Sequence, residues 1–264
     1  MKKYVEVFRL SFKMQLVWRF DVAMTMLATL GRIVAAWILW RIVYGERALV
    51  AGLSLQVMLS YYIVSAFLTS LDMSNQISDE LSHLIRSGGF SKHMVTPMNP
   101  FGFFSAMVAG ESAFHLGFSC LAALICTLLL NIQIVLVTDA AALLSALIMV
   151  PLGLLCMMCF HYLVAMLAFR FISIGSFLHA ANALVAFLTG VLVPLALLPE
   201  WMTTFMRLFP FYYVTYLPSM LLIGQRSNEA AAGLLILSLW TLGLLAAGNL
   251  TYHRLRVRYD GVGI

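Results

Sequence analysis

Apolar runs long enough to cross a bilayer recur along this chain at 20–44, 55–76, 101–130, 140–168, 173–198 and 230–252. A helical span needs roughly 20 predominantly apolar residues to cross about 30 Å of hydrocarbon. Lipid offers the backbone no hydrogen-bond partners, and unbroken apolar runs lack the alternation of a membrane barrel. The sequence therefore predicts an all-α membrane protein with six transmembrane helices in a domain over 20–252. With 62% hydrophobic and 10% charged residues and a mean hydropathy of +0.96, an ordinary soluble domain is excluded. The boundary between the fourth and fifth runs is the least marked, because Arg170 and the short FRFISIGS turn are nearly all that separates them.

Basic residues set the expected orientation. An even number of spans puts both termini on one side, which then carries Lys2, Lys3, Arg9, Lys13, Arg19, Arg86, Lys92, Arg170, Arg254, Arg256 and Arg258. The other side holds Arg47, Arg207 and Arg226, with Arg41 near its border. Positive residues favour the cytoplasm, so both termini and the polar island after the second span are expected there. The net charge of +5 reflects this asymmetry and an affinity for anionic headgroups. Nucleic-acid binding is not indicated.

The first nineteen residues carry six charges and no small-residue cleavage site follows the first apolar run, so the amino terminus reads as retained. Within 1–19, Tyr4, Val5, Phe8, Phe12 and Leu16 recur at helical spacing opposite Lys2, Lys3, Glu6, Arg9 and Lys13. That pattern predicts a cytoplasmic amphipathic helix in the headgroup layer, either a basic anchor or a mechanical element. Residues 253–264 form a basic tail. Cys120, Cys126, Cys156 and Cys159 fall inside spans without a redox or metal-binding setting. The chain contains no G-x-x-x-x-G-K-[ST] loop, so it is expected to bind no nucleotide itself.

The longest polar island, ISDELSHLIRSGGFSKHMVTPMNP at 77–100, is the most informative connection. Ile77, Leu81, Leu84 and Ile85 make an apolar stripe, with Ser78, Asp79, Glu80 and Ser82 on the polar remainder and Ser74 or Asn75 placed to cap the start. Ser87, Gly88 and Gly89 stop the helix, and Pro97 and Pro100 keep it from running into the third span. A short helix held between two bends is suited to receiving a push; the plainer alternative is an interfacial connector.

The segment 190–226 is the other irregular region. Four of the chain's seven prolines, Pro194, Pro199, Pro210 and Pro218, divide it into pieces too short to span, flanked by Trp201, Tyr212, Tyr213 and Tyr216. A dip into the outer leaflet and back is expected, with its irregular backbone packed in protein or facing an aqueous cavity.

Taken together, the basic amino-terminal helix, the L-x-x-x-I-R-S-G-G-F-x-x-x-x-x-x-P segment from Leu81 to Pro97, and the G-x-x-x-P, L-P-x-W and F-P-F elements before the last span resemble ABC-2 type transporter permeases. The resemblance covers essentially the whole chain and implies a bacterial inner-membrane exporter of the type V kind. One six-helix half then pairs with an identical or homologous second permease above two cytoplasmic ABC ATPase subunits, which bind ATP and Mg. It also implies that 77–89 is a coupling helix, with Asp79, Glu80, Leu84, Arg86, Gly88 and Gly89 meeting the ATPase. Pro194, Pro199, Trp201, Pro210 and Pro218 then belong to a re-entrant hairpin at the outer mouth. Force entering at 79–89 is expected to pass to spans two, three and five. A lipophilic drug, a peptide or a lipid-linked glycan all fit such a path. An ATP-independent secondary transporter or channel is the alternative, favoured by inverted repeats, yet the proline-broken segment occurs once.

A charge near the bilayer centre costs on the order of 2.5 to 3.5 kcal/mol even on the lenient insertion scale, so ionisable groups inside spans are informative. Arg32 and Glu111 fall at about the same depth, roughly 15 Å in at 1.5 Å per residue, and are expected to pair. His115, one turn on, either joins them or is a satisfied core histidine; Asn182 and Thr189 read as helix glue. Ala106 and Gly110, and Ala142 and Ala146, have the spacing that lets helices approach closely.

Overall fold

A computed structural model describes residues 2–129, 133–171, 174–191 and 193–256. Among them the chain is helical, with only an isolated bridge between Val50 and Leu53. The α-helices are α1 (Lys2–Val17), α2 (Arg19–Tyr44), α3 (Leu55–Leu71), α4 (Asn75–Arg86), α5 (Ser91–Val95), α6 (Pro100–Leu129), α7 (Ala140–Ala165), α8 (Gly175–Leu188), α9 (Glu200–Met206), α10 (Leu217–Leu222) and α11 (Ala230–Leu255).

Five stretches are long and apolar enough to cross a membrane: Phe20–Tyr44, Leu55–Arg86, Pro100–Leu129, Ala140–Phe169 and Ser227–Leu255. The second contains the corner between α3 and α4. The expected fifth span, 173–198, does not form one such helix. Its helix α8 has 14 residues, about 21 Å, and ends before Gly190, whose φ of +78° turns the chain. Residues 1, 130–132, 172–173, 192 and 257–264 lie outside the described residues, and with them most of the expected tail.

Helix α1 forms where the amphipathic pattern predicts it, but it runs along the first half of α6. Tyr4 and Phe8 turn toward α6, while Val5 and Leu16 remain exposed. A Cβ on Gly110 would sit 2.4 Å from the Phe8 carbonyl oxygen, and one on Gly102 would sit 2.8 Å from the Tyr4 ring. The small residues of α6 thus admit α1. Lys3 Nζ donates to the Pro97 carbonyl, Asn99 N donates to the Tyr4 hydroxyl at 3.2 Å, and the Phe12 and Phe114 rings meet edge to face at 5.4 Å.

Helix α7 is the centre of the molecule. It packs against α11, α4, α10 and the π-helical turn Tyr212–Tyr216. Pro151 lies inside it, so one backbone donor is missing and the turn before it is weakened. Around α7, Ala142, Ala146, Met149, Cys156, Met157 and Cys159 join Tyr212, Tyr216, Leu217, Met220, Leu221 and Leu237 in the largest buried apolar cluster. The thiols of Cys156 and Cys159 are free and buried there.

Candidate functional site

Helix α4 follows a sharp corner. Asp72 closes α3, and its carboxylate oxygen accepts from Ser74 N at 3.0 Å. Ser74 holds the N-cap position expected of it, but its side chain makes no capping bond; Asp72 organises the corner instead. Ile77, Leu81 and Ile85 are buried, and so are Ser78 and Ser82, which the amphipathic pattern had placed on the polar face. The reason is a second packing surface: α4 lies against both α7 and the turn after it, Met166–Phe169. Ser78 Oγ and His161 Nδ1 approach to 3.1 Å in this contact. What remains exposed on α4 is Asn75, Asp79, Glu80 and His83, with Leu84 and Arg86 half-buried. Arg86 Nε donates to the Ser82 carbonyl at 3.3 Å.

The glycine stop forms as expected. Gly88 adopts a φ of +79°, and Phe90 N donates to the Leu84 carbonyl at 2.9 Å. Gly89 faces the Leu84 side chain, which a Cβ would meet at 3.1 Å. Phe90 then inserts fully between α4, α6 and α11, its ring 5.8 Å from that of His93 and 6.3 Å from that of Tyr252. Burial lowers the His93 pKa below 6.5 and Lys92 adds to this, while Glu80 opposes it. Asn99 accepts from Phe101 N and Gly102 N to begin α6, so the two prolines bracket a capped start.

The segment 190–226 folds into short pieces. Pro194 precedes the 3-10 turn Leu195–Leu197, Pro199 precedes α9, Pro210 precedes the π turn, and Pro218 sits in the first turn of α10. Pro194, Pro199 and Pro210 stand at or before a first turn, where a missing N–H costs nothing, whereas Pro218 follows directly on the π turn in a continuous helical run and removes one backbone donor from it. The return limb is buried: Tyr212, Tyr216, Leu217, Met220 and Leu221 are almost wholly enclosed. It fits because glycines face it. A Cβ on Gly153 would lie 3.3 Å from Val214 Cα, and one on Gly233 would lie 2.5 Å from Leu217 Cδ2. Tyr61 donates to the Gly190 carbonyl at 2.9 Å, holding the other limb to α3. The turn of the segment packs on α11, where Trp240 Nε1 donates to the Leu208 carbonyl at 3.0 Å. Trp240 is about 15 Å along α11 from Ala230, at 1.5 Å per residue. Trp201 is exposed on α9.

Sequence reasoning missed the ionic cluster beside this turn. Glu229 Oε1 pairs with Arg207 at 3.0 Å and Arg226 at 2.7 Å, and Oε2 accepts from the Tyr212 hydroxyl at 2.9 Å. The three-residue spacing of Arg226 and Glu229 was its visible signal. The buried serines of α4 had one too, since Ser74, Ser78 and Ser82 recur every fourth residue.

The expected pair between Arg32 and Glu111 does not form. Among the described residues the ion pairs are Arg9–Glu6, Arg207–Glu229 and Arg226–Glu229. Depth was matched but azimuth was not: Glu111 is buried on the side of α6 toward Gln76 and Glu80, whereas Arg32 is exposed and donates to Thr29 at 3.2 Å. His115 is buried with Thr25, Thr29, Ser70 and Ser119 where α2, α3 and α6 meet. Asn182 lines a polar cleft of about 220 Å³ with Asp72, Asn75, His161, Thr189 and Thr215. That cleft lies between the α3–α4 corner, α7, α8 and the π turn.

The family described as ABC-2 family transporter protein matches residues 30–263. The chain belongs to that family. No curated protein and no solved structure matches it. With five apolar helices of membrane length, this ABC-2 protein is a multi-pass membrane protein and a permease of an ABC transporter.

Proposed function

We propose that this permease is the transmembrane half of an ATP-driven exporter. It works with a second, identical or homologous half and two cytoplasmic ATPase subunits that bind ATP and Mg, and itself binds no cofactor. The observation that carries this reading is α4, a helix anchored on one face by Ile77, Leu81 and Ile85 and offering Asp79, Glu80 and His83 on the other. A helix fixed in this way transmits a displacement instead of absorbing it. The distribution of basic residues supports cytoplasmic α1 and α4 and a bacterial inner-membrane location with both termini inside. In that frame α8 with the following proline-broken pieces supplies the sixth crossing and a re-entrant hairpin at the outer mouth. Alternating exposure of a path between two halves then moves a hydrophobic or amphipathic substrate outward.

The contacts favour a different route for force than spans two, three and five. Helix α4 packs chiefly on α7, the fourth apolar run, and α7 holds the return limb of the hairpin at Gly153. The test is affinity purification of the tagged chain from its native membranes in mild detergent, with the co-purifying polypeptides counted by mass spectrometry. A stoichiometric ATPase, lost when Asp79 and Glu80 are both changed to Lys while the chain stays folded, is the expected result. A chain that never brings down an ATPase and transports down an ion gradient would reverse the proposal in favour of a secondary transporter or channel.

A further inference from the structure

Arg32 sits near the middle of α2, about 18 to 20 Å from either end at 1.5 Å per residue. Its three-methylene stem covers less than half of that distance, so the guanidinium does not snorkel to the headgroups. It is exposed and spends one of its five N–H donors on Thr29 within its own helix. It opens onto a cleft of about 480 Å³ between α2 and α3, floored by Ala35, Ala36 and Ala66 and edged by Tyr62 and Ser65. The small floor leaves room for an apolar chain beside a single fixed cation.

Something must neutralise that cation in the membrane. Among the described residues, Glu111 is the one carboxylate midway along α2, α3, α6, α7 or α11, and it is buried on α6; Asp72, past the end of α3 in the Leu55–Arg86 stretch, is engaged at the corner by Ser74 N. An identical second copy therefore offers no exposed carboxylate at this depth. We propose that the cleft between α2 and α3 binds the anionic group of an amphiphile, a phosphate ester in the simplest case, with Arg32 as its countercharge. A guanidinium suits this task because its planar fork donates to two phosphate oxygens at once. The proposal rests on the chain being a membrane permease and adds the charge class of what it holds. The shared chemistry belongs equally to a bilayer phospholipid and to a transported amphiphile.

The test uses the full chain, without any ATPase, in phosphatidylcholine nanodiscs titrated with dodecyl phosphate and, separately, with dodecyltrimethylammonium. Saturable binding of the phosphate alone is expected, weakened by about tenfold or more in Arg32→Gln, the scale of one lost charged hydrogen bond. Arg32→Lys, which keeps the charge but loses the fork, should bind between wild type and Arg32→Gln. Ala66→Leu, which retains the charge and fills the cleft, should abolish it. Repeating the titration with phosphatidylglycerol in the disc separates the sources: competition assigns the site to bilayer lipid, and its absence to a transported amphiphile. Equal binding by wild type and Arg32→Gln, unchanged binding in Ala66→Leu, or equal binding of the cationic amphiphile would each overturn the proposal. Assembly lost in Arg32→Gln and restored by a carboxylate added to a co-purifying permease would do so too, by assigning the charge to a protein partner. Binding needs no ATPase, so failure here leaves the exporter reading standing, and failure to find an ATPase leaves this site standing.

Discussion

Ser78 Oγ lies 3.1 Å from His161 Nδ1, fully buried, and joins α4 to α7 across 83 residues of sequence. Ser78 also donates to the Asn75 carbonyl at 2.8 Å, so the hydroxyl joins the imidazole to the first turn of α4. Replacing Ser78 with Ala leaves the ring nitrogen without this partner, at a cost of about 1 to 3 kcal/mol. A lowered thermal midpoint of the purified chain is expected, together with weaker ATP-driven transport per ATP hydrolysed. Ser82→Ala, on the same buried seam but bonded only within α4 to the Asp79 carbonyl, should do less.

Gly110 faces backbone, which cannot move aside as a side-chain tip can. Gly110→Ala should lift α1 from α6 and cost roughly 1 to 3 kcal/mol, the usual range for overpacking. Labelling of a cysteine placed at the buried position Ser11 reads this directly, since its accessibility should rise. Gly117→Ala on the same helix meets nothing within 4 Å and should leave labelling unchanged.

Glu229→Gln removes the negative charge shared by Arg207 and Arg226 and leaves two guanidinium groups converging on a neutral amide. Because the three side chains are partly exposed, the loss should be modest, about 1 kcal/mol. Its signature is salt: in 1 M salt, where screening acts over about 3 Å, the melting difference between wild type and variant should shrink.

The fold disturbs the titration of His93, which lies outside the membrane-length helices. Its folded pKa lies below 6.5, owing first to burial against the Phe90, Phe103 and Phe104 rings and then to Lys92, with Glu80 opposing. The folded chain therefore binds fewer protons than the unfolded one near that pH. Stability from this site is fully present above 6.5 and is lost as pH falls through 6.5 toward the lower folded value. The thermal midpoint should drop between pH 7.5 and pH 5.5 more in wild type than in His93→Gln.

Much of this architecture was legible because lipid leaves so few choices. Apolar runs became helices, Gly88 ended α4 in a left-handed turn, and Pro194, Pro199 and Pro210 marked real breaks in 190–226. What was not legible concerns relations between helices. Two residues at equal depth, Arg32 and Glu111, face different neighbours because a helix's rotation depends on every partner it packs against. Ser78 and Ser82 read as polar surface only if α4 has one packed face, and it has two. The fifth run met the length criterion for a span, but Gly190 turns the chain inside it.

Helix α7 has 26 residues, a rod about 39 Å long. If it tilts as one piece by about 5° about its middle, each end swings by roughly 1.7 Å in opposite senses. Gly153, on which Val214 sits with little room for a methyl group, lies at that middle and stays almost still, so the movement is delivered at the ends of the rod. Pro151 lies close to that fulcrum and is the softest point of the beam. The gearing between the α4 side and the outer side is thereby concentrated at one residue, so altering its stiffness changes the ratio of output to input movement without touching either surface.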